Sequence, residues 1–325
     1  KVLFFVVALV VIANIINIGA DFAAVGASIN LLIPLPIWLL STIFMLIVLG
    51  LEIFIGYHTY AKFLKILSLS LISYVVVALI VTNNWLEVFK ATSIPQLQWS
   101  SAYWYVIVAV LGTTISPYMF FWQTAEEVEE SNYAQNHNHA QRSIREIRQD
   151  TSIGMSISQI GSWFMIITAA VVLHENGVVN IGTAADAAKA LEPLAGTMAK
   201  ELFAFGLIGC ALLAASILPL STAYSVSDLT GRPAALDDNL KEAPLFYFTF
   251  GFITVLSATL ILIPGAPLIK ILVVTQILNA ILLLPLLIYM YGISKDERLM
   301  GEFVATRAMK TIYLIIIVVV GFAIS

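Results

Sequence analysis

Charge is scarce in this sequence. Only 11% of its 325 residues are Asp, Glu, Lys or Arg, while 60% are hydrophobic and the mean hydropathy is +0.95. A soluble domain carries about 25% charged residues, so a water-solvated globule is excluded. The net charge of −4 argues against nucleic acid as a partner, because a polyanion needs a basic face. Cysteine is nearly absent. Cys210 stands alone in an apolar run, which excludes an intrachain disulfide and reads as a small packing residue. No glycine-rich phosphate loop, serine elbow or run of His, Cys or Asp at metalloenzyme spacing occurs. The motifs that announce an enzyme or a resident cofactor are therefore missing.

Apolar runs of membrane length are what the chain has in abundance. A hydrocarbon core of about 30 Å needs about 20 apolar residues in a helix. Nine such segments are readable: Val2–Leu32, Ile37–Gly56, Phe63–Thr82, Tyr103–Gln123, Ser152–Leu173, Leu202–Ser225, Leu245–Pro264, Leu268–Tyr291 and Thr311–Ile324. They leave no room for a soluble domain, so residues 1–325 read as one all-α, polytopic membrane domain with the lipid bilayer as its surroundings. With alternating crossings, twelve Lys and Arg side chains fall on one face and four (Lys90, Lys189, Lys200, Lys270) on the other. The positive-inside rule then puts Lys1 in the cytoplasm and Ser325 outside. Lys1 leads straight into a spanning segment without Met or a small-residue cleavage site, and the expectation is that the natural start of the chain lies further upstream.

Between the fourth and fifth segments, Glu126–Asp150 is the longest charged stretch, acidic in its first half and basic in its second. His137 and His139 within it are two metal-capable side chains, against the plainer reading of a solvated linker. The stretch ENGVVNIGTAADAAKALEPLAG reads as a short amphipathic helix over the outer face.

Polar residues at membrane depth carry the functional signal. In YWYVIVAVLGTTISPYMFFW, Gly112, Thr113, Thr114, Ser116 and Pro117 sit at mid-segment. Pro117 lacks an N–H and crowds the preceding turn, so backbone groups are freed where lipid cannot satisfy them. Two readings follow: a kink healed locally by Thr and Ser hydroxyls, or a discontinuous helix whose unwound carbonyls bind a cation. In the first segment Asn14, Asn17, Asp21 and Ser28 share one helical face. A carboxylate at mid-membrane costs about 2.5–3.5 kcal/mol on insertion scales, so Asp21 should face the bundle interior beside a partner or water. Gln276 and Asn279 share a face of the eighth segment, as interhelical glue or as part of a pathway. Ser216, Pro219, Ser221, Thr222 and Ser225 form a small-polar seam in the sixth, which packing of small residues explains.

Taken in order, NIGADFAAVGA, GTTISPYMFFWQ, LPLSTAYSVSDLTG and VTQILNAILLLPLLI resemble the third, sixth, eighth and tenth helices of the Nramp family of divalent-metal transporters. The resemblance covers essentially the whole chain and implies a LeuT-like inverted-repeat bundle. Nine transmembrane helices of an expected eleven would be present, starting at helix three. In that family the metal sits between unwound helices one and six, and helix one supplies an aspartate and an asparagine. Half the expected site would then lie outside this sequence, which alone should not transport.

Departures from the family pattern are informative. Where ordinary members carry Met-Pro-His, this chain has Ser116, Pro117 and Tyr118. Replacing a thioether by a hydroxyl favours harder cations such as Mg²⁺ or Mn²⁺. Ala24 stands where an acidic residue is usual, and Leu245–Pro264 contains no basic residue, so of the family's proton relay only Asp21 remains. The pattern resembles most the Nramp-related magnesium transporters. The resemblance implies a carrier of Mg²⁺ and/or Mn²⁺, as transported substrate and not cofactor, working by alternating access without proton coupling in a bacterial inner membrane. Thr113 (backbone carbonyl), Ser116 and Gln276 would ligate the metal, Gly112, Thr114 and Pro117 would form the helix break, and Asp21, Asn17, Tyr118 and Asn279 would line the pathway. The alternatives are a proton-coupled Mn²⁺/Fe²⁺ Nramp transporter, another LeuT-like carrier of organic solutes, and a non-transporting Nramp-like receptor. The oligomeric partner is unknown.

Overall fold

A computed structural model describes residues 2–55, 57–94, 96–136, 144–178, 181–182, 184–232, 240–260 and 268–324. Among these the regular structure is helical throughout. In chain order the helices are α1 (Val2–Asn30), α2 (Ile37–Phe54), α3 (Tyr57–Ser68), α4 (Ile72–Val81), α5 (Trp85–Ser93), α6 (Ser101–Thr114) and α7 (Pro117–Asn136). They continue as α8 (Ile144–Thr168), α9 (Ala184–Ala195), α10 (Thr197–Thr230), α11 (Pro244–Thr259), α12 (Leu268–Ser294), α13 (Glu297–Met300) and α14 (Arg307–Ile324). Eight helical stretches among the described residues are long and apolar enough to cross a membrane, and α11, of 16 residues, is the ninth apolar helix. Residues 261–267, with which the expected seventh segment would be completed, lie outside the described set, as do His137 and His139. The protein is a multi-pass integral membrane protein.

α1 and α10 form the centre, packing more extensively against each other than any other pair. The 34 residues of α10 give a rod of about 50 Å at about 1.5 Å per residue, longer than a bilayer core. Its seam of small residues is buried, with Ser216, Ser221, Thr222, Ser225 and Ser227 all inside the bundle. At Gly206 and Gly209 it meets Ser73 and Ser70 closely, the close helix approach that small residues permit where lipid gives no hydrophobic drive to association. Ile18, Phe22 and Ala215 pack with Met45, Val48, Leu218 and Ile253 in one core cluster, which locks α2 and α11 onto the central pair.

The fourth expected segment is two helices, and the reason is local. Pro117 disfavours helical backbone at the residue before it. Ser116, the residue before it, accordingly stands outside the helix, and Ile115 leaves the helix with φ −128° and ψ 64° while its N–H still bonds the Leu111 carbonyl at 3.0 Å. Pro117 then opens α7 at the position where a missing N–H removes nothing. Gly112 and Thr114, expected within the break, are helical, and the interruption falls on Ile115 and Ser116. Gly112 serves another purpose: it lies against the Gln276 carbonyl and the Ala280 backbone nitrogen of α12.

Candidate functional site

The break opens onto a cavity of about 440 Å³ between α1, α6, α7, α10 and α12. Its polar lining is Asn17, Asp21, Thr113, Ser116, Tyr118 and Gln276. Six of the ten residues assigned site roles from the sequence thus share one space, although five come from four different helices and Ser116 from the break between two of them. The remaining wall is apolar, including Val106 and Val110 of α6 and Leu272 and Val273 of α12.

Each polar group is held differently. Ser116 is 2% exposed, and its hydroxyl donates to the Gly112 carbonyl at 2.7 Å and to the Thr113 carbonyl at 3.2 Å. Thr114 donates back to Val110 at 2.8 Å and Leu111 at 3.2 Å. The hydroxyls therefore do heal the end of α6 locally, and two of the residues whose carbonyls they use, Val110 and Thr113, line the cavity. Tyr118 lies within electrostatic reach of the Asp21 carboxylate, and its backbone carbonyl accepts from Ser221 of α10 at 3.0 Å.

Gln276 is fixed at both ends of its amide. Its Nε2 donates to Asn17 Oδ1 at 3.1 Å, and its Oε1 accepts from Asn279 Nδ2 at 3.0 Å. Asn17 is 5% and Asn279 2% exposed, so the thread Asn279–Gln276–Asn17 joins α12 to α1 through two buried amides and the half-buried Gln276. Asn279 does not line the cavity; it aims Gln276. Asn14, on the same face of α1 as Asn17, turns instead to α10 and donates to Thr222 Oγ1 at 2.8 Å. Sequence reasoning missed Ser221 and Thr222 as partners of the site because a seam of small hydroxyls looks the same whether it packs or donates. It also passed over Glu52, a carboxylate 7% exposed near the end of α2, which lies outside the cavity lining.

Chemically the cavity is an oxygen site. Asp21 is the one carboxylate among its lining residues, joined by amide, hydroxyl, phenol and backbone carbonyl oxygens; no sulfur or imidazole lines it. Among the described residues, no group of three or more His, Cys, Asp and Glu stands together in a way that would hold a metal tightly. Such a set suits a hard cation held by charge and dipoles without a dedicated cage.

The Yersinia pestis (strain Pestoides F) "Divalent metal cation transporter MntH" is 27% identical over 231 residues, 67% of this chain and 49% of its own length. The protein of that name from Yersinia pseudotuberculosis serotype O:1b (strain IP 31758) matches equally. The chain spans about half the length of these curated relatives. Among solved structures, the Eremococcus coleocola manganese transporter, in complex with an aromatic bis-isothiourea substituted compound, superposes with a TM-score of 0.72 at 16% identity. That match covers 99% of this chain and 70% of the transporter, and a mutant of the same transporter gives a TM-score of 0.68. The fold is therefore the LeuT-like bundle of these carriers. Residues 1–324 match the family described as "Natural resistance-associated macrophage protein-like", and the chain belongs to the Nramp family.

Proposed function

We propose that this chain is the membrane core of a divalent-cation carrier that moves Mg²⁺ and/or Mn²⁺ by alternating access without coupling to protons. The observation that carries the proposal is the convergence of Asp21, Asn17, Thr113, Ser116, Tyr118 and Gln276 on one cavity at the break between α6 and α7. Thr113 offers its carbonyl, Ser116 and Gln276 offer side-chain oxygens, and Asp21 sets the negative potential that draws a cation in. Membership of the Nramp family favours a metal as cargo over an organic solute, and makes catalysis an unneeded reading. The metal is substrate, not cofactor.

The absence of sulfur from the lining supports the magnesium-transporter branch of the family. Tyr118, Ala24 and the lack of a basic side chain in α11 support uncoupled movement, because a phenol, unlike an imidazole, does not exchange its proton readily at neutral pH. In this reading α1 corresponds to the family's third helix, the whole chain is one domain, and its Lys1 end faces the cytoplasm of a bacterial inner membrane. The test is metal entry and internal pH followed together in proteoliposomes made with the full-length protein. Entry of Mg²⁺ and Mn²⁺ without acidification is expected. Acidification in step with metal entry would replace the proposal by a proton-coupled Mn²⁺/Fe²⁺ carrier, and no entry of either metal would overturn cation carriage.

A further inference from the structure

Between the end of α4 and the start of α6, residues 85–94 and 96–99 lie outside the bundle, and their apolar side chains are unusually exposed. Leu86 is 81% exposed, Phe89 55%, Ile94 69%, Leu97 60% and Trp99 79%. α5 contains no buried residue. Beyond it the sequence alternates: Ile94, Leu97 and Trp99 are apolar, while Gln96 and Gln98 are polar and residues 96–99 form no helix. A surface in water has no use for such a row.

This segment is nonetheless built and fastened. Asn84 caps α5 by accepting from the Glu87 N–H at 3.3 Å. Trp163 of α8 donates to Thr92 at 3.1 Å, and Trp85 and Phe89 meet the rings of Phe164 and Trp163 at 6.2 and 5.7 Å. At the far end Trp99 packs on Trp104, which packs on Phe322 of α14, at 5.7 and 5.8 Å. The segment is thus pinned by aromatic rings at both ends and bare between them. Aromatic rings with polar edges gather at the membrane–water boundary, and α4 and α6, membrane-crossing elements, end and begin here.

We infer that residues 85–94 and 96–99 lie flat in the head-group interface of the membrane, with Leu86, Phe89, Ile94, Leu97 and Trp99 turned into lipid, and so tether the outer end of α6. Exposed apolar side chains on the flanking helices, Leu79 and Ile80 of α4 and Tyr105 of α6, would share the lipid with this surface. Charge names the kind of lipid: Glu87 and Lys90 are the charged side chains of the segment and cancel, so the attraction is apolar and anionic head groups are not required. The inference is independent of what the carrier moves.

Cys210 is the sole cysteine, so a Cys210→Ala background accepts single probes. The environment-sensitive fluorophore NBD is attached to Leu86→Cys, Leu97→Cys and Gln98→Cys, one chain per phosphatidylcholine nanodisc. A head-group spin label is expected to quench the first two about twofold more than Gln98→Cys, and more than a label deep in the acyl chains does, as shallow insertion requires. Addition of anionic lipid should leave that ratio unchanged. Equal iodide quenching of all three probes would overturn the inference. So would strongest quenching by the deep label, a requirement for anionic lipid, or protection that appears only with two chains per disc, which would make a second copy the occupant. If Cys210→Ala does not fold, the probes are placed with Cys210 retained and its own labelling subtracted from the parent protein's, with the same outcomes deciding.

Discussion

Gly112→Ala tests whether the site depends on backbone contact between α6 and α12. An added Cβ would overlap the Gln276 carbonyl oxygen and stand 2.8 Å from its carbon and 2.9 Å from the Ala280 nitrogen. These are main-chain atoms, so no rotamer change relieves the clash and one helix must move. Overpacking of this kind costs about 1–3 kcal/mol, while Ala gains about 0.5–1 kcal/mol over Gly as a helix residue. With rigid atoms on the receiving side, the upper end applies, giving about 2 kcal/mol net destabilisation, about 30-fold in an equilibrium constant. Gly154→Ala is the internal control, because nothing lies within 4 Å of a Cβ there and the helix gain is left by itself. The assay is thermal unfolding of both variants in the same detergent, paired with cation uptake by the full-length protein. Gly112→Ala should melt lower and Gly154→Ala no lower than the parent. Since the displaced segment carries Gln276, uptake should also need more cation for half saturation in Gly112→Ala alone. A Gly112→Ala protein with parental melting and parental half saturation would refute the reasoning.

Further outcomes are expected elsewhere. Ser116→Met puts a thioether at the break and should raise uptake of Mn²⁺ relative to Mg²⁺; unchanged ratios would remove the idea. Asn17→Leu leaves the Gln276 amide N–H without its buried acceptor, at about 1–3 kcal/mol. A double-mutant cycle of melting free energies with Gln276→Leu should show clear coupling, and strict additivity would contradict the thread. Lys200 donates to Glu192 at 2.8 Å and holds that exposed carboxyl below its usual range. A lowered carboxylate pKa stabilises the fold above the unfolded-state value of about 4.3 and ceases to do so as pH falls through the folded value. The small melting gap between parent and Glu192→Gln should therefore shrink as pH falls below the unfolded-state value; a gap that stays constant throughout the acid range would show that the ion pair is not its source.

How much of this was legible in the sequence differs by residue. The spanning helices were readable because lipid imposes a length and an apolar composition, and the break was readable because Pro117 stands in a cluster of Gly, Thr and Ser, whereas Pro219 and Pro285 are carried inside unbroken helices. Asp21 announced itself by its cost. The position of the break was misread by three residues at Gly112 because glycine signals two different things, freedom of the backbone and absence of a side chain, and here the second applies. Asn279 was grouped with Gln276 by spacing, yet spacing of three puts one amide in the cavity and the other behind it, a distinction made by what α1 and α6 present opposite. The aromatic pinning of residues 85–94 and 96–99 was not readable at all, since Trp163 and Phe322 reach it from distant parts of the chain.

The hydroxyl arrangement at the break resolves the choice that the sequence left open between a healed kink and an exposed donor set. Ser116 donates to the Gly112 and Thr113 carbonyls, so in this state it heals the kink. A hydroxyl that donates one hydrogen keeps its lone pairs, and a cation approaching the cavity would meet Ser116 Oγ and the Thr113 carbonyl together, with Asp21 supplying the charge. The same geometry would be impossible for a thioether, which has no hydrogen to give back to the helix end and would leave those carbonyls to water or metal. On the proposed function, healing and binding would be two uses of one group. On the proposed function this keeps the break closed over itself when no cation is near, and lets it open its oxygens without leaving any buried backbone carbonyl unpaired for long.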